Sequence, residues 1–296
     1  MRLDRLASVY LGGPMARMRT GNGVRIPILM YHSVSENLFG KSHPYFQINT
    51  TPKRFAEQMQ YLHDAGYATV TLEEVASGKL RERKNQKPIA ITFDDGYRDF
   101  YTDAFPVLSR LGLSATMFLT SGRVHDRPER YEDVEYLSWG DVREMHANGM
   151  HFGSHTVTHP ELKTLSRSAI EQELRVSKEA IEDGLGSRVT SFAYPYGFPE
   201  EDEQFIRDVR QILESCSYEV AVTTILGTAT PECDRFLLPR LPVNTWDDRK
   251  FFQTKLDGGY DWLHFPQLLS KKIRKAASAS SRRPGLNTGE KGVHEN

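Results

Sequence analysis

Cysteine is scarce in this chain of 296 residues: only Cys216 and Cys233 occur, with no C-x-x-C pair. That excludes a disulfide framework or a thiolate zinc knot as the basis of the fold, and both read as buried or incidental thiols. No sign of charge dominates either. Lys and Arg number 38 against 39 Asp and Glu, so there is no general pull toward nucleic acid. No stretch approaches the ~18 apolar residues of a membrane helix. Behind Arg2 and Arg5, the apolar run Leu6-Ala7-Ser8-Val9-Tyr10-Leu11 stops at Gly12-Gly13-Pro14. It is too short for a signal-peptide core, and the expected location is the cytoplasm. No internal repeat is visible. With 39% hydrophobic and 26% charged residues, the chain reads as an ordinary soluble globular protein.

What is there alternates strand with helix. Ile26-Pro27-Ile28-Leu29-Met30-Tyr31-His32 is a short apolar strand ending in a histidine. Thr51-Pro52 caps a helix carrying Phe55, Met59 and Leu62 at helical spacing and closed by Gly66. Strands are expected at 67–71, 88–93, 114–119, 151–153, 191–194 and 218–222. Helices are expected at 100–111, from Ser138 to about Ala147, at 166–183 and at 201–214. Such βα units build a mostly parallel sheet, and six or seven of them fit a closed or nearly closed barrel better than an open sheet. Residues 1–25, rich in Gly, Arg and Met, are expected to be a flexible lead-in and 26–265 the catalytic domain. Residues 270–296 read as a basic, disordered tail, solvated by default and able to touch an anionic surface.

Two segments carry chemistry. The strand Pro88–Phe93 runs into Asp94-Asp95-Gly96. Side chains alternate along a strand, so the two carboxylates leave its end in different directions, at the place where α/β enzymes keep their reactive groups. Sixty residues on, Ser154-His155-Thr156-Val157-Thr158-His159 sets two imidazoles four apart, and one turn of helix or a tight loop aims both at one point. One carboxylate and two histidines form a ligand set for a catalytic divalent metal, with room for water. Taken singly, an Asp-Asp-Gly is often a mere turn and an H-x3-H often two surface histidines. Together, each after an apolar strand, they favour a metal centre.

The order of these pieces resembles the polysaccharide deacetylases, the NodB-homology or carbohydrate esterase family four group, from about residue 26 to 245. Thr92-Phe93-Asp94-Asp95-Gly96 matches the family's first motif and Ser154–His159 its second. Phe192-Ala193-Tyr194-Pro195-Tyr196-Gly197 is similar to the third, with Ala193 where an arginine is usual. Leu29-Met30-Tyr31-His32 resembles the opening of a permuted subgroup that deacetylates exopolysaccharides such as poly-N-acetylglucosamine.

The resemblance implies an α/β fold, a distorted (β/α) barrel of about seven parallel strands. It also implies a divalent metal, zinc foremost, on Asp95, His155 and His159, with Asp94 as general base. A backbone N–H near Tyr196 would hold the oxyanion. No late Leu-x-Leu-His occurs, so His32 becomes the candidate acid, against the plain reading of a core histidine. Arg240, on a late strand, is the candidate to replace the missing arginine beside Asp94, or else closes a structural ion pair. Trp139 is a candidate sugar-stacking residue or simply core.

The expected activity is removal of N-acetyl groups from N-acetylhexosamine units of an acetylated polysaccharide or oligosaccharide. The alternatives are an O-acetyl esterase, a small-molecule amide hydrolase, or a non-catalytic carbohydrate-binding protein. Substrate choice falls to loops such as 34–50 and 123–136, which match nothing readable.

Overall fold

A computed structural model describes residues 2–18, 24–36, 47–82, 87–131 and 133–281. Its centre is a closed barrel of seven parallel strands: β1 (Ile28–Tyr31), β2 (Lys87–Phe93), β3 (Thr116–Leu119), β4 (His151–Ser154), β5 (Ser191–Ala193), β6 (Val220–Leu226) and β7 (Leu238–Pro242). Each pairs in parallel with the next, and β1 closes the ring against both β2 and β7, with Leu29 opposite Ile91 and Leu241. The short strand Tyr67–Thr69 lies outside the ring on the first half of β2.

The two-residue period of each strand sorts its side chains. Leu29, Tyr31, Ile91, Phe93, Met117, Leu119 and Phe192 pack with residues of the surrounding helices, among them Phe55, Val142, Leu174 and Val209. The alternate positions Ile28, Ala90, Phe118, Ala193, Val222 and Leu238 form a second, smaller cluster. On β2 the register Ala90, Thr92, Asp94 carries this inward face past the strand end, so the same alternation that plugs the barrel delivers Asp94 to its mouth. Gly153 is required by this plug, because a Cβ there would lie 2.5 Å from the Phe118 ring.

The helices begin where side-chain oxygens meet their first free N–H groups. Thr51 accepts from Arg54, with Pro52 in the first turn, and opens Pro52–Asp64. Ser138 and Asp141 form a reciprocal capping box that starts Trp139–Ala147. Ser166 caps Arg167–Leu185, which ends at Gly186 in left-handed geometry.

The ends of the chain differ from the sequence reading. Leu3–Ala7, Ser8–Gly12 and Gly13–Met18 run on as one helical segment, not a loose lead-in. Gly12-Gly13 looks like a chain breaker but serves close approach. A Cβ on Gly12 would sit 2.2 Å from the Gly259 carbonyl oxygen, so the segment lies hard against the 259–262 turn. Arg2 reaches Asp4 and the buried Asp247, and Arg5 reaches Asp248. Likewise His264–Ser281 is helical where a disordered tail from 270 was expected. Lys271 and Lys275 tie it down by donating to the carbonyls of Phe198 and Glu201. Residues 282–296 of the expected tail lie outside the described residues, as do 37–46 of the expected substrate loop. Cys216 and Cys233 are both free thiols.

One contact in this frame makes stability depend on pH. The Asp99 carboxylate accepts from the Ser33 hydroxyl and so ties the segment after β1 to the loop after β2, while its other oxygen is buried without a partner among the described residues. Burial pushes the Asp99 carboxyl up to about 6, more than its hydrogen bonds from Ser33 and Val34 lower it. A folded pKa above the ordinary 3.8 means that stability is full below that value and falls as pH rises through about 6. Asp99→Asn should therefore raise the melting temperature at pH 7.5, by an amount worth up to ~3 kcal/mol, and flatten the stability slope between pH 4 and 7. Chemical denaturation across that range checks it, and an unchanged slope contradicts it.

Candidate active site

The carboxyl ends of the barrel strands open into a cleft of about 990 Å³, with His32, Asp94, Asp95, His155, His159 and Tyr196 on its lining. After Phe93 the chain turns at Asp95, whose φ of 76° is left-handed. Left-handed backbone recurs at Thr156, His159 and Tyr196. Non-glycine residues adopt it at a cost, and such cost concentrates where side chains must be aimed.

Asp95, His155 and His159 each offer a ligand atom, and these atoms lie within 4.8 Å of one another. His155 Nε2 is 3.5 Å and His159 Nε2 3.4 Å from the same Asp95 oxygen. The spacing of four between the histidines works here through a tight loop, not a helical turn. His155 Nδ1 donates to the Ala193 carbonyl at 2.8 Å, which orients the ring and turns Nε2 toward Asp95 and the cleft. The loop itself is held from outside. Glu173, on Arg167–Leu185, accepts from the N–H groups of Val157 and Thr158 and from the Thr158 hydroxyl, and Ser177 donates to the Thr156 carbonyl.

Asp94 stands beside this trio. It is 2% exposed and receives a two-pronged pair of hydrogen bonds from Arg240, at 2.7 and 2.8 Å. Arg240 is itself wholly buried in β7, with Nε donating to the Thr223 carbonyl and Nη1 to the Thr92 hydroxyl. His32 Nε2 lies 3.9 Å from Asp94, too far for a hydrogen bond but inside the same cleft. Tyr196 packs its ring on His159, 4.7 Å between centroids, and no acceptor among the described residues takes its backbone N–H.

The electrostatics follow from this packing. Burial pushes the Asp94 carboxyl up, but the Arg240 charge, with His155 and His32, brings it below the usual carboxylate range. Asp95 is likewise pushed up by burial and overcompensated by His155, His32 and His159, so it stays ionised. Burial lowers His155, yet the hydrogen bond to Asp95 and the charge of Asp94 leave it above the ordinary imidazole value. The pocket therefore attracts positive charge at the point where the three ligand atoms converge. A dry anionic carboxylate with two imidazole nitrogens within 3.5 Å of one oxygen fits a divalent cation, which would replace the proton on His155.

All the residues singled out from sequence except Trp139 meet at this cleft. Trp139 instead packs against Arg167–Leu185, where a Cβ on Gly184 would lie 2.4 Å from the indole, so it is core and not a sugar platform. Glu173, Ser177 and Tyr97 escaped the sequence reading. Tyr97 also lines the cleft, and burial together with Asp95 beside it pushes its hydroxyl up. The first two read as polar positions on a surface helix, and nothing in their spacing marks them as loop anchors.

Comparison with known proteins agrees with the geometry. Residues 81–221 match the family model described as polysaccharide deacetylase. The Bacillus subtilis (strain 168) protein YxkH, named for the polysaccharide deacetylases, is 31% identical over 230 residues, 77% of this chain and 75% of its own. A poly-beta-1,6-N-acetyl-D-glucosamine N-deacetylase of Staphylococcus epidermidis is 26% identical over 66% of this chain and 68% of its own. Among solved structures, the Streptococcus pyogenes deacetylase PplD in complex with acetate superposes with a TM-score of 0.65 at 27% identity, covering 79% of this chain and 99% of that one. The chain belongs to the polysaccharide deacetylase family of hydrolases.

Proposed function

We propose that this protein is a metal-dependent deacetylase that hydrolyses the N-acetyl groups of N-acetylhexosamine units in a polysaccharide or oligosaccharide. The observation that carries the reading is the convergence of Asp95, His155 and His159 beside an Asp94 held ionised by Arg240. Asp95, His155 and His159 would hold the ion, with zinc matching one carboxylate and two imidazoles. When bound it supplies Lewis acidity toward a carbonyl oxygen and toward water.

The protein's own groups do the rest. Asp94 is the general base. Arg240 occupies one side of its carboxylate and leaves lone pairs free to accept a proton from the attacking water. A backbone N–H near Tyr196, on the cleft lining, would donate to the oxygen that gains charge. His32, on the cleft lining 3.9 Å from Asp94, gives its proton to the departing amine nitrogen as the carbon–nitrogen bond breaks. The S. epidermidis relative, named for poly-beta-1,6-N-acetyl-D-glucosamine, suggests the same polymer class as substrate. No helix among the described residues is long and apolar enough to cross a membrane.

A paired substitution separates metal binding from base catalysis. His155→Ala should lose most of the bound metal, since two ligands hold a labile ion poorly. Asp94→Asn should keep the metal while kcat falls ~10²–10⁴-fold on a chito-oligosaccharide. Elemental analysis beside the assay reads both. Full occupancy in His155→Ala would remove this ligand set, and metal loss in Asp94→Asn with retention in Asp95→Asn would exchange the roles of the two acids.

His32 has its own test. A departing amine needs a proton, whereas an aryl oxide leaves as an anion. His32→Ala should depress N-deacetylation far more than hydrolysis of an aryl acetate, with metal content unchanged. Equal losses on both substrates would return His32 to a packing role.

A further inference from the structure

The helix His264–Ser281 has two working faces. One carries Gln267, Lys271 and Arg274 and forms a wall of the cleft. Beside it runs an apolar stripe left uncovered by the described residues: Phe265, Leu269 and Ile273, spaced by four, are 73%, 49% and 59% exposed. Trp262, one turn earlier, is 41% exposed and continues the stripe toward the N-terminal helical segment. There its indole donates to Ser8 and lies beside Gly12. That segment adds Tyr10, Leu11, Met15 and Met18, each more than half exposed. Exposed apolar side chains scattered singly are ordinary, but a run of this kind over two adjoining elements marks a docking surface.

Charge identifies what docks. Residues 262–289 contain no Asp or Glu, while Lys271, Lys272, Arg274, Lys275, Arg282 and Arg283 all fall within them. The whole chain, by contrast, carries a net charge of −1. Lys271 and Lys275 are drawn to Glu200 and Asp202 on the cleft side. Lys272 is exposed and, by helical spacing, adjoins the apolar stripe. A helix with a bare apolar stripe flanked by basic residues, and with Trp and Tyr at its margin, has the anatomy of an interfacial helix.

We infer that the stripe of 262–273, with the exposed face of the N-terminal segment, docks on an anionic phospholipid bilayer. The apolar side chains enter the headgroup boundary, Lys272 meets lipid phosphates, and the cleft wall on the same helix is brought beside the membrane surface. Docking itself does not depend on the deacetylase reading, because it needs no turnover.

Sedimentation of the full chain with vesicles tests it. The protein should sediment with vesicles of phosphatidylcholine mixed with phosphatidylglycerol, weakly with phosphatidylcholine alone, and less as salt rises. Phe265→Ser/Leu269→Ser/Ile273→Ser should lower binding to the anionic vesicles at least about tenfold. Lys272→Glu should lower it several-fold. Circular dichroism and soluble-substrate activity should stay unchanged in both variants, since none of these residues lines the cleft. Absence of sedimentation, or wild-type sedimentation by the triple variant, overturns the proposal. So does a wild-type dimer that the triple variant breaks, which would assign the stripe to a second copy.

Discussion

The buried pairing of Arg240 with Asp94 fixes the acid side of the site. Two charges buried this completely are costly to take out of water, and the cost is offset only when geometry is good and the remaining hydrogen bonds are made. Here they are made: Arg240 also binds the Thr223 carbonyl and the Thr92 hydroxyl, so the guanidinium is fixed before Asp94 meets it. The result is a carboxylate that stays ionised in a dry place and cannot rotate. Its neighbour Asp95, turned away by left-handed backbone, is left to face the histidines. Two adjacent acids thus have different environments and different chemistry.

The histidine side of the site is built the opposite way, from a strained loop and not from a strand. Thr156 and His159 hold positive φ, and such backbone persists only when its surroundings over-determine it. Glu173 and Ser177 supply that determination from the helix behind, by gathering the loop's N–H groups and one carbonyl. His155 is oriented from the barrel itself, through the Ala193 carbonyl. Where an arginine is usual in relatives of this family, the small Ala193 lies in the barrel's inner cluster, and the guanidinium arrives from β7.

Much of this was legible in the sequence, for a physical reason. Asp94-Asp95 and His155/His159 are short-range patterns whose spacing carries their geometry, and the alternation of apolar runs carried the barrel. Arg240 was readable as a candidate, but its bond to Asp94 spans 146 positions and depends on ring closure, which no local pattern encodes. The two ends of the chain were misread because composition was taken for conformation. Gly12-Gly13 permits contact with Gly259, and the basic run at 271–275 is partly neutralised by Glu200 and Asp202. Trp139 was ambiguous between surface and core until Gly184 showed the space it fills.

Arg240 sets both the protonation state and the aim of Asp94, and the pH profile of Arg240→Met measures that dependence. In this variant metal content should be kept and kcat/KM should fall roughly 10²-fold. The acid limb should move to higher pH, because burial then raises the Asp94 carboxyl with no guanidinium to oppose it. A folded variant whose acid limb stays at the wild-type position would contradict it.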